Sequence, residues 1–217
     1  MHAIRNLALL LLLSFCQACG QVGPTTSAHE TGQSKLAEKA SVEASIIASL
    51  IDPVKLATLG ERGANPRVRK VTGILWQAKQ AGKDPRGIVE AAVRQIGWGD
   101  TEKGKLTVDA MLRNLDILEK LGSTTPDDIA ALSRGKAPVV RKGPYTGDIL
   151  SVDHIIPRAV CPELDNVIAN LELMPLRMNQ GKSNGIGQRQ VNFGKKMMDA
   201  GMLSNKAFAL VGNQPPL

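Results

Sequence analysis

Asp148 to Asn184 reads DILSVDHIIPRAVCPELDNVIANLELMPLRMNQGKSN, and the fold class turns on how this stretch divides into elements. Ile149 to Ile156 is rich in β-branched residues and closes at Pro157, the profile of a short strand presenting Asp153 and His154 side by side at its end. A polar loop through Pro162, Asp165 and Asn166 follows. Leu171-Glu172-Leu173-Met174 then restores apolar/polar alternation, so a second strand can pair with the first before Pro175 ends it. From Arg177 the sequence can turn helical, with Asn179 on the first turn and Lys182 three residues on along the same face. A helix folding back across such a hairpin brings Asp153, His154 and Asn179 toward one point.

These side chains suit phosphate chemistry. A hard divalent cation takes oxygen ligands, one or two from the protein, and fills its remaining positions with water and phosphate. Asp153 and Asn179 offer such oxygens. An imidazole is the side chain best suited to take a proton from water near neutral pH, and His154 supplies one. The reaction class that follows is attack of water on phosphorus, with the metal stabilising charge on the phosphate and the departing oxygen.

Asp153-His154-Ile155-Ile156-Pro157, then Asn170-Leu171, then Asn179 with Gly181-Lys182-Ser183, resembles the HNH endonuclease family and its ββα-metal fold. The resemblance covers roughly residues 144 to 196. It implies Asp153 and Asn179 as metal ligands, His154 as general base and Asn170 as the residue that braces the connecting loop. The last family position is Asn rather than His, a variant similar to the HNH domain of CRISPR effector nucleases. The expected cofactor is one divalent cation, Mg²⁺ or else Mn²⁺. DNA is the expected partner, with RNA as the alternative, and an inhibitor protein is a conceivable second partner.

A lone Asp-His pair would carry little weight, since a single His on an apolar strand is more often a packed residue; the order of the whole constellation gives it meaning. Asn166 beside Asp165 competes with Asn170 for the bracing role, and Leu171 directly after Asn170 favours the latter. Gly181-Lys182-Ser183 is not a phosphate loop, because Leu176 stands where the first Gly of that motif belongs. Paired C-x-x-C knuckles are missing, Cys161 being the one cysteine of the region, so a structural zinc is not expected.

The basic balance of the chain, a formal net charge of +7, favours a polyanionic partner without proving one. Arg177, Lys182, Arg189, Lys195 and Lys196 follow the motif with no acidic residue between Arg177 and Lys196. Phosphate contacts come chiefly from Lys and Arg, so Lys182 first, Arg158 second, and then Arg177 and Arg189 are the expected nucleic-acid contacts.

Residues 1–20 have the outline of a secretory signal: His2 and Arg5, an apolar run from Leu7 to Phe15 too short for a stable span, and small residues around Gly20. A periplasmic or secreted location is expected, the competitor being a lipoprotein anchored through Cys19 or Cys16. No membrane insertion is expected after signal removal unless the chain is lipidated. Residues 21–34 have the composition of a flexible leader.

Helical sequence fills residues 35–134. Lys35 to Leu50 is a good helix former; Val68, Val71, Leu75 and Ala78 recur at helical spacing up to Gly82; Asp84-Pro85 starts a helix that stops by Gly97. Val108, Met111, Leu112, Leu115, Leu118 and Leu121 form another apolar stripe ending at Gly122, and Thr125-Pro126-Asp127-Asp128 caps a short helix through Leu132. Trp76 and Trp98 read as core. Arg67, Arg69 and Lys70 read as a solvated helix face before a DNA clamp. Residues 135–147 break the pattern with Pro138, Pro144 and several Gly, a linker in which Arg141 and Lys142 are ordinary basic residues. Residues 148–217 form the hairpin module with helices from Gln190 to Ala200 and from Ser204 to Leu210.

The expected class is thus α+β, a mainly helical N-terminal part followed by a ββα hairpin-plus-helix. Two functions compete. One is an exported metal-dependent endonuclease of low sequence specificity. The other is a non-catalytic, exported or lipid-anchored nucleic-acid-binding protein with the same ββα shape.

Overall fold

A computed structural model describes residues 41–182 and 185–212. The signal and leader expectations, the lipid-anchor cysteines, the start of the first helix at Lys35, and Ser183 lie outside the described residues. Six helices precede the hairpin among the described residues: α1 Val42–Ile51, α2 Pro53–Ala57, α3 Asn65–Gln80, α4 Pro85–Gln95, α5 Glu102–Lys120 and α6 Pro126–Ser133.

Their starts follow from capping chemistry. Ser41 accepts from Ala44 N at 3.1 Å, Asp84 from Arg86 N and Gly87 N at 3.0 and 2.9 Å, and Thr101 from Gly104 N at 3.1 Å. Thr125 and Asp128 form a reciprocal capping box. The short α2 escaped the sequence reading although Asp52-Pro53 carries the same signal as Asp84-Pro85: Asp52 accepts from Val54 N at 3.0 Å. The ends of α3, α4 and α5 fall at Gly82, Gly97 and Gly122, with φ of 74°, 75° and 64°, where a side chain would be strained.

Strand β1 (Leu150–His154) pairs antiparallel with β2 (Leu171–Pro175), in the register Leu150↔Pro175, Val152↔Leu173, Asp153↔Glu172 and His154↔Leu171. The first strand is shorter than Ile149–Ile156. Ile149 lies outside the strand, bridged to Val139 and accepting from Leu176 N at 2.9 Å, and beyond His154 the ladder is taken over by Asn170, whose carbonyl accepts from Ile155 N and whose side chain binds Ile156. The connection is no open polar loop. It carries two 3₁₀ turns, Pro162–Leu164 and Ile168–Asn170, and buries Cys161, Leu164, Ile168 and Ala169.

Leu150, Val152, Leu171 and Leu173 join the main core together with Val68, Val71 and Leu75 of α3 and Leu115 and Leu118 of α5. The outer edge of β2 is closed by Asn114 of α5, which donates to Leu171 O at 3.1 Å and accepts from Leu173 N at 2.7 Å. After β2 come α7 (Leu176–Lys182), α8 (Gln188–Asp199) and α9 (Asn205–Gly212), the last capped by Ser204 Oγ accepting from Ala207 N. Ile156, Cys161, Leu164, Met197, Leu203 and Val211 make a second core between the connection and these helices. The architecture is mostly helical with one short antiparallel hairpin followed by a helix, a ββα order.

The basic cluster on α3 has a use that neither sequence reading anticipated. Arg67 Nη1 donates to Leu50 O at 3.0 Å and Arg69 Nη1 to Gly135 O at 3.2 Å, so these guanidinium groups satisfy carbonyls at or just beyond the ends of α1 and α6. Arg141 is likewise engaged. Its Nε and Nη2 donate to the two oxygens of buried Asp128 at 3.1 Å each, and Val139 N donates to the same carboxylate at 3.1 Å.

Candidate functional site

A cleft of about 360 Å³ lies at the end of the hairpin, lined by Arg62, Asp153, His154, Pro157, Arg158, Ala159, Asn179, Gln180 and Lys182. Successive strand residues face opposite sides of a sheet, so Asp153 belongs to the face of Ser151, and His154 to that of Val152. Both line the cleft because β1 stops at His154 and the cleft wraps round that end.

His154 is 6% exposed, and its Nε2 lies 3.0 Å from both Asp165 O and Asp165 Oδ1. A carbonyl and a carboxylate oxygen only accept, so Nε2 carries the proton and, in the neutral ring, Nδ1 is left as the acceptor. No partner for Nδ1 is found among the described residues. Asp165 in turn accepts from Arg62 N at 2.9 Å through Oδ2, which ties the imidazole to the loop before α3.

Lys182 Nζ donates to Asp153 Oδ2 at 2.7 Å and to His154 O at 2.8 Å. Asn179 Nδ2 donates to Ser151 Oγ at 3.2 Å, which leaves its amide oxygen available. Asn170, 0% exposed, accepts from Ile156 N at 2.9 Å and donates to Ile156 O at 3.0 Å. Its competitor Asn166 faces elsewhere: it accepts from Ala64 N and donates to Leu59 O and Gly60 O.

The structure therefore brings Asp153, His154, Asn179, Lys182 and Arg158 to one cleft, with Asn170 buried behind it. Arg158 there pairs with Glu61 at 2.6 Å. Arg177 and Arg189 are not among its lining residues. Arg177 N donates to Asp148 Oδ2 at 2.8 Å and its guanidinium lies over Tyr145, while Arg189 forks onto Glu172 at 3.0 and 2.6 Å.

Two residues of the cleft region escaped the sequence reading. In the sequence Asp165 reads only as a loop residue. Arg62 lies far from the motif and has φ 54°, the one described non-glycine residue with positive φ, and such strain tends to be stored at functional sites. No local pattern announces either contact, because the pair is 103 positions apart in sequence.

Among the described residues no group of three or more His, Cys, Asp or Glu side chains could hold a metal ion. The side-chain oxygen donors among the lining residues are the Asp153 carboxylate, already shared with Lys182, and the amides of Asn179 and Gln180. This set suits a hard cation that relies on water and phosphate for most of its shell, and does not suit zinc. Comparison with protein-family models, curated proteins and solved structures gives no match in any of the three.

Proposed function

We propose that the ββα module binds the phosphate backbone of DNA in the cleft at the end of the hairpin. The observation that carries this reading is the meeting of three cations, Arg62, Arg158 and Lys182, on a cleft whose lining holds one carboxylate, Asp153. They come from three separate segments: the loop before α3, the turn after β1, and α7. Side chains of this kind hold a phosphate backbone without reading its sequence, and the net charge of +7 acts in the same direction.

A second and finer reading, metal-dependent phosphodiester hydrolysis of the HNH type, is favoured by the ring of His154. With Nε2 anchored on Asp165, Nδ1 can take a proton from water as its oxygen bonds to phosphorus and the bond from phosphorus to the departing oxygen breaks. Lys182 holds Asp153 in place and Asn170 fixes the connection that carries Asp165. Asp153 and the Asn179 amide oxygen would hold Mg²⁺ or Mn²⁺, which when bound supplies charge stabilisation at the phosphate and the leaving oxygen. The thin donor set weighs toward binding alone, the fixed imidazole toward hydrolysis.

Purified protein tested on supercoiled plasmid with Mg²⁺ or Mn²⁺, with EDTA, and as His154→Ala separates the two. Nicking that EDTA and His154→Ala both abolish establishes hydrolysis, with 5′-phosphate ends as the family resemblance implies. Binding without nicking under either metal leaves the binding module, and no binding removes both readings.

A further inference from the structure

A second basic pocket, of about 290 Å³, opens beside the first and is lined by Arg113, Ile155, Arg189, Asn192, Phe193 and Lys196. Its lining includes three cations and no carboxylate. Beneath it lies Glu172, 3% exposed, whose two oxygens are taken by the Arg189 fork at 3.0 and 2.6 Å. Arg113 reaches the same carboxylate only at 3.6 Å, beyond hydrogen-bond range, and its Nε is buried without a hydrogen-bond partner. One buried carboxylate thus stands against three positive charges from two helices, α5 and α8. Arg189 and Lys196 are exposed and solvated, but burial disfavours the charge on Arg113, with Glu172 only partly offsetting it, and an anion in the pocket would complete that compensation.

The two pockets adjoin along the hairpin. His154 lines the first and Ile155 the second. Asp153, in the first, is the direct cross-strand partner of Glu172, under the second, and partners of this kind sit about 5 Å apart at Cβ. A linear polyanion entering the cleft would pass from one to the other.

We propose that Arg113, Arg189 and Lys196 form a second phosphate subsite, which takes a backbone phosphate of DNA flanking the one held in the Asp153–His154 cleft. The inference rests on the DNA-binding reading of that cleft and adds to it a contact from the helical part of the chain. Arg189, held by the Glu172 fork, and Arg113, whose Nη2 donates to Ala169 O at 3.4 Å, present N–H donors to phosphate oxygens. Lys196, exposed on α8, adds a point charge at the rim, and the half-buried ring of Phe193 closes the pocket.

The test is binding of the full chain to a fluorescent DNA duplex in EDTA over a range of salt concentrations. Each lost phosphate contact lowers the salt slope by about one. Lys196→Gln, at an exposed position, should weaken binding several-fold and lower the slope by about one. Arg113→Gln with Lys196→Gln should lower it by about two. Lys120→Gln, remote on α5 and 72% exposed, is the charge-matched control and should leave the slope in place. Slopes in Lys196→Gln and the double variant equal to that of the control would overturn the subsite while the cleft stands. Absence of duplex binding by the wild-type chain would overturn the cleft reading itself. If the double variant fails to fold, Lys196→Gln alone decides.

Discussion

Asp153 and Glu172 stand directly opposite each other across the hairpin, two carboxylates on one face, and each is answered by a cation from a later helix. Lys182 of α7 meets Asp153 at 2.7 Å, and Arg189 of α8 forks onto Glu172 at 3.0 and 2.6 Å. Like charges placed opposite one another destabilise a strand pair, so the hairpin needs those helices in place. The same pairing that holds α7 and α8 to the sheet sets the cations beside both pockets.

Removing Arg189 should therefore destabilise the chain beyond its own contacts. Arg189→Met leaves Glu172 buried with only Arg113 near it. Breaking a buried pair costs about 3–5 kcal/mol, and because the Arg189 side chain is 55% exposed the loss expected here is smaller, about 2 kcal/mol. Glu172→Met combined with Arg189→Met should recover most of it. Urea unfolding of the wild-type chain and the two variants checks this, and a double variant no more stable than the single one would contradict it.

Asp128 governs how the segment after α6 is tied down. Burial raises its carboxyl, but the Arg141 fork, the Thr125 hydroxyl and the Val139 N–H together outweigh that and hold it below the ordinary carboxylate range. A depressed folded value means stability that is fully present above the unfolded Asp value of about 3.9 and lost as pH falls through the folded one. Asp128→Asn should cost about 2 kcal/mol at neutral pH. The gap to wild type should close in acid, below about pH 4. A gap that widens on acidification would contradict the assignment.

Asn170 replaces the end of the strand ladder, so Asn170→Ala should leave the N–H and C=O of Ile156 unpaired in the interior. A loss of about 2–4 kcal/mol is expected from the unsatisfied groups and the small cavity. Binding of DNA should weaken in parallel, because the connection that places Asp165 behind His154 loosens. Thermal unfolding and duplex titration of the variant together check this.

Cys161 should be inert in the folded chain. Burial, with Glu163 adding to it, pushes its thiol up to about 11. In a Cys16→Ser/Cys19→Ser chain at pH 8, a thiol reagent should react only after denaturant is added. Prompt reaction in buffer would contradict the buried second core.

Much of this fold is legible in local chemistry. The Asp84-Pro85 and Thr125-Pro126 starts, the glycine stops and the alternation of Leu171 to Met174 all act within a few residues, and each marks an element that is present. What escaped acts over distance. The connecting loop reads as polar because Pro162, Asp165 and Asn166 are polar, yet its backbone turns twice and buries Leu164 and Ile168 against partners elsewhere in the chain. Arg67, Arg69 and Arg141 read as free basic residues because their acceptors, the carbonyls of Leu50 and Gly135 and the carboxylate of Asp128, are fixed only by tertiary packing. The site divides in the same way. Asp153, His154, Asn179 and Lys182 are recognisable by their order, whereas Arg62, Asp165 and Arg113 enter through contacts no periodicity records.

Whether a phosphate sits in the cleft is tested most directly by titrating a fluorescent DNA duplex in EDTA with wild-type chain, Lys182→Gln and the charge-matched Lys120→Gln. The expected result is binding about tenfold weaker for Lys182→Gln, with a salt slope lower by about one, and no such change for Lys120→Gln. Equal affinity and slope for the two variants would mean that DNA is held by diffuse charge rather than at the end of the hairpin, and would contradict the cleft.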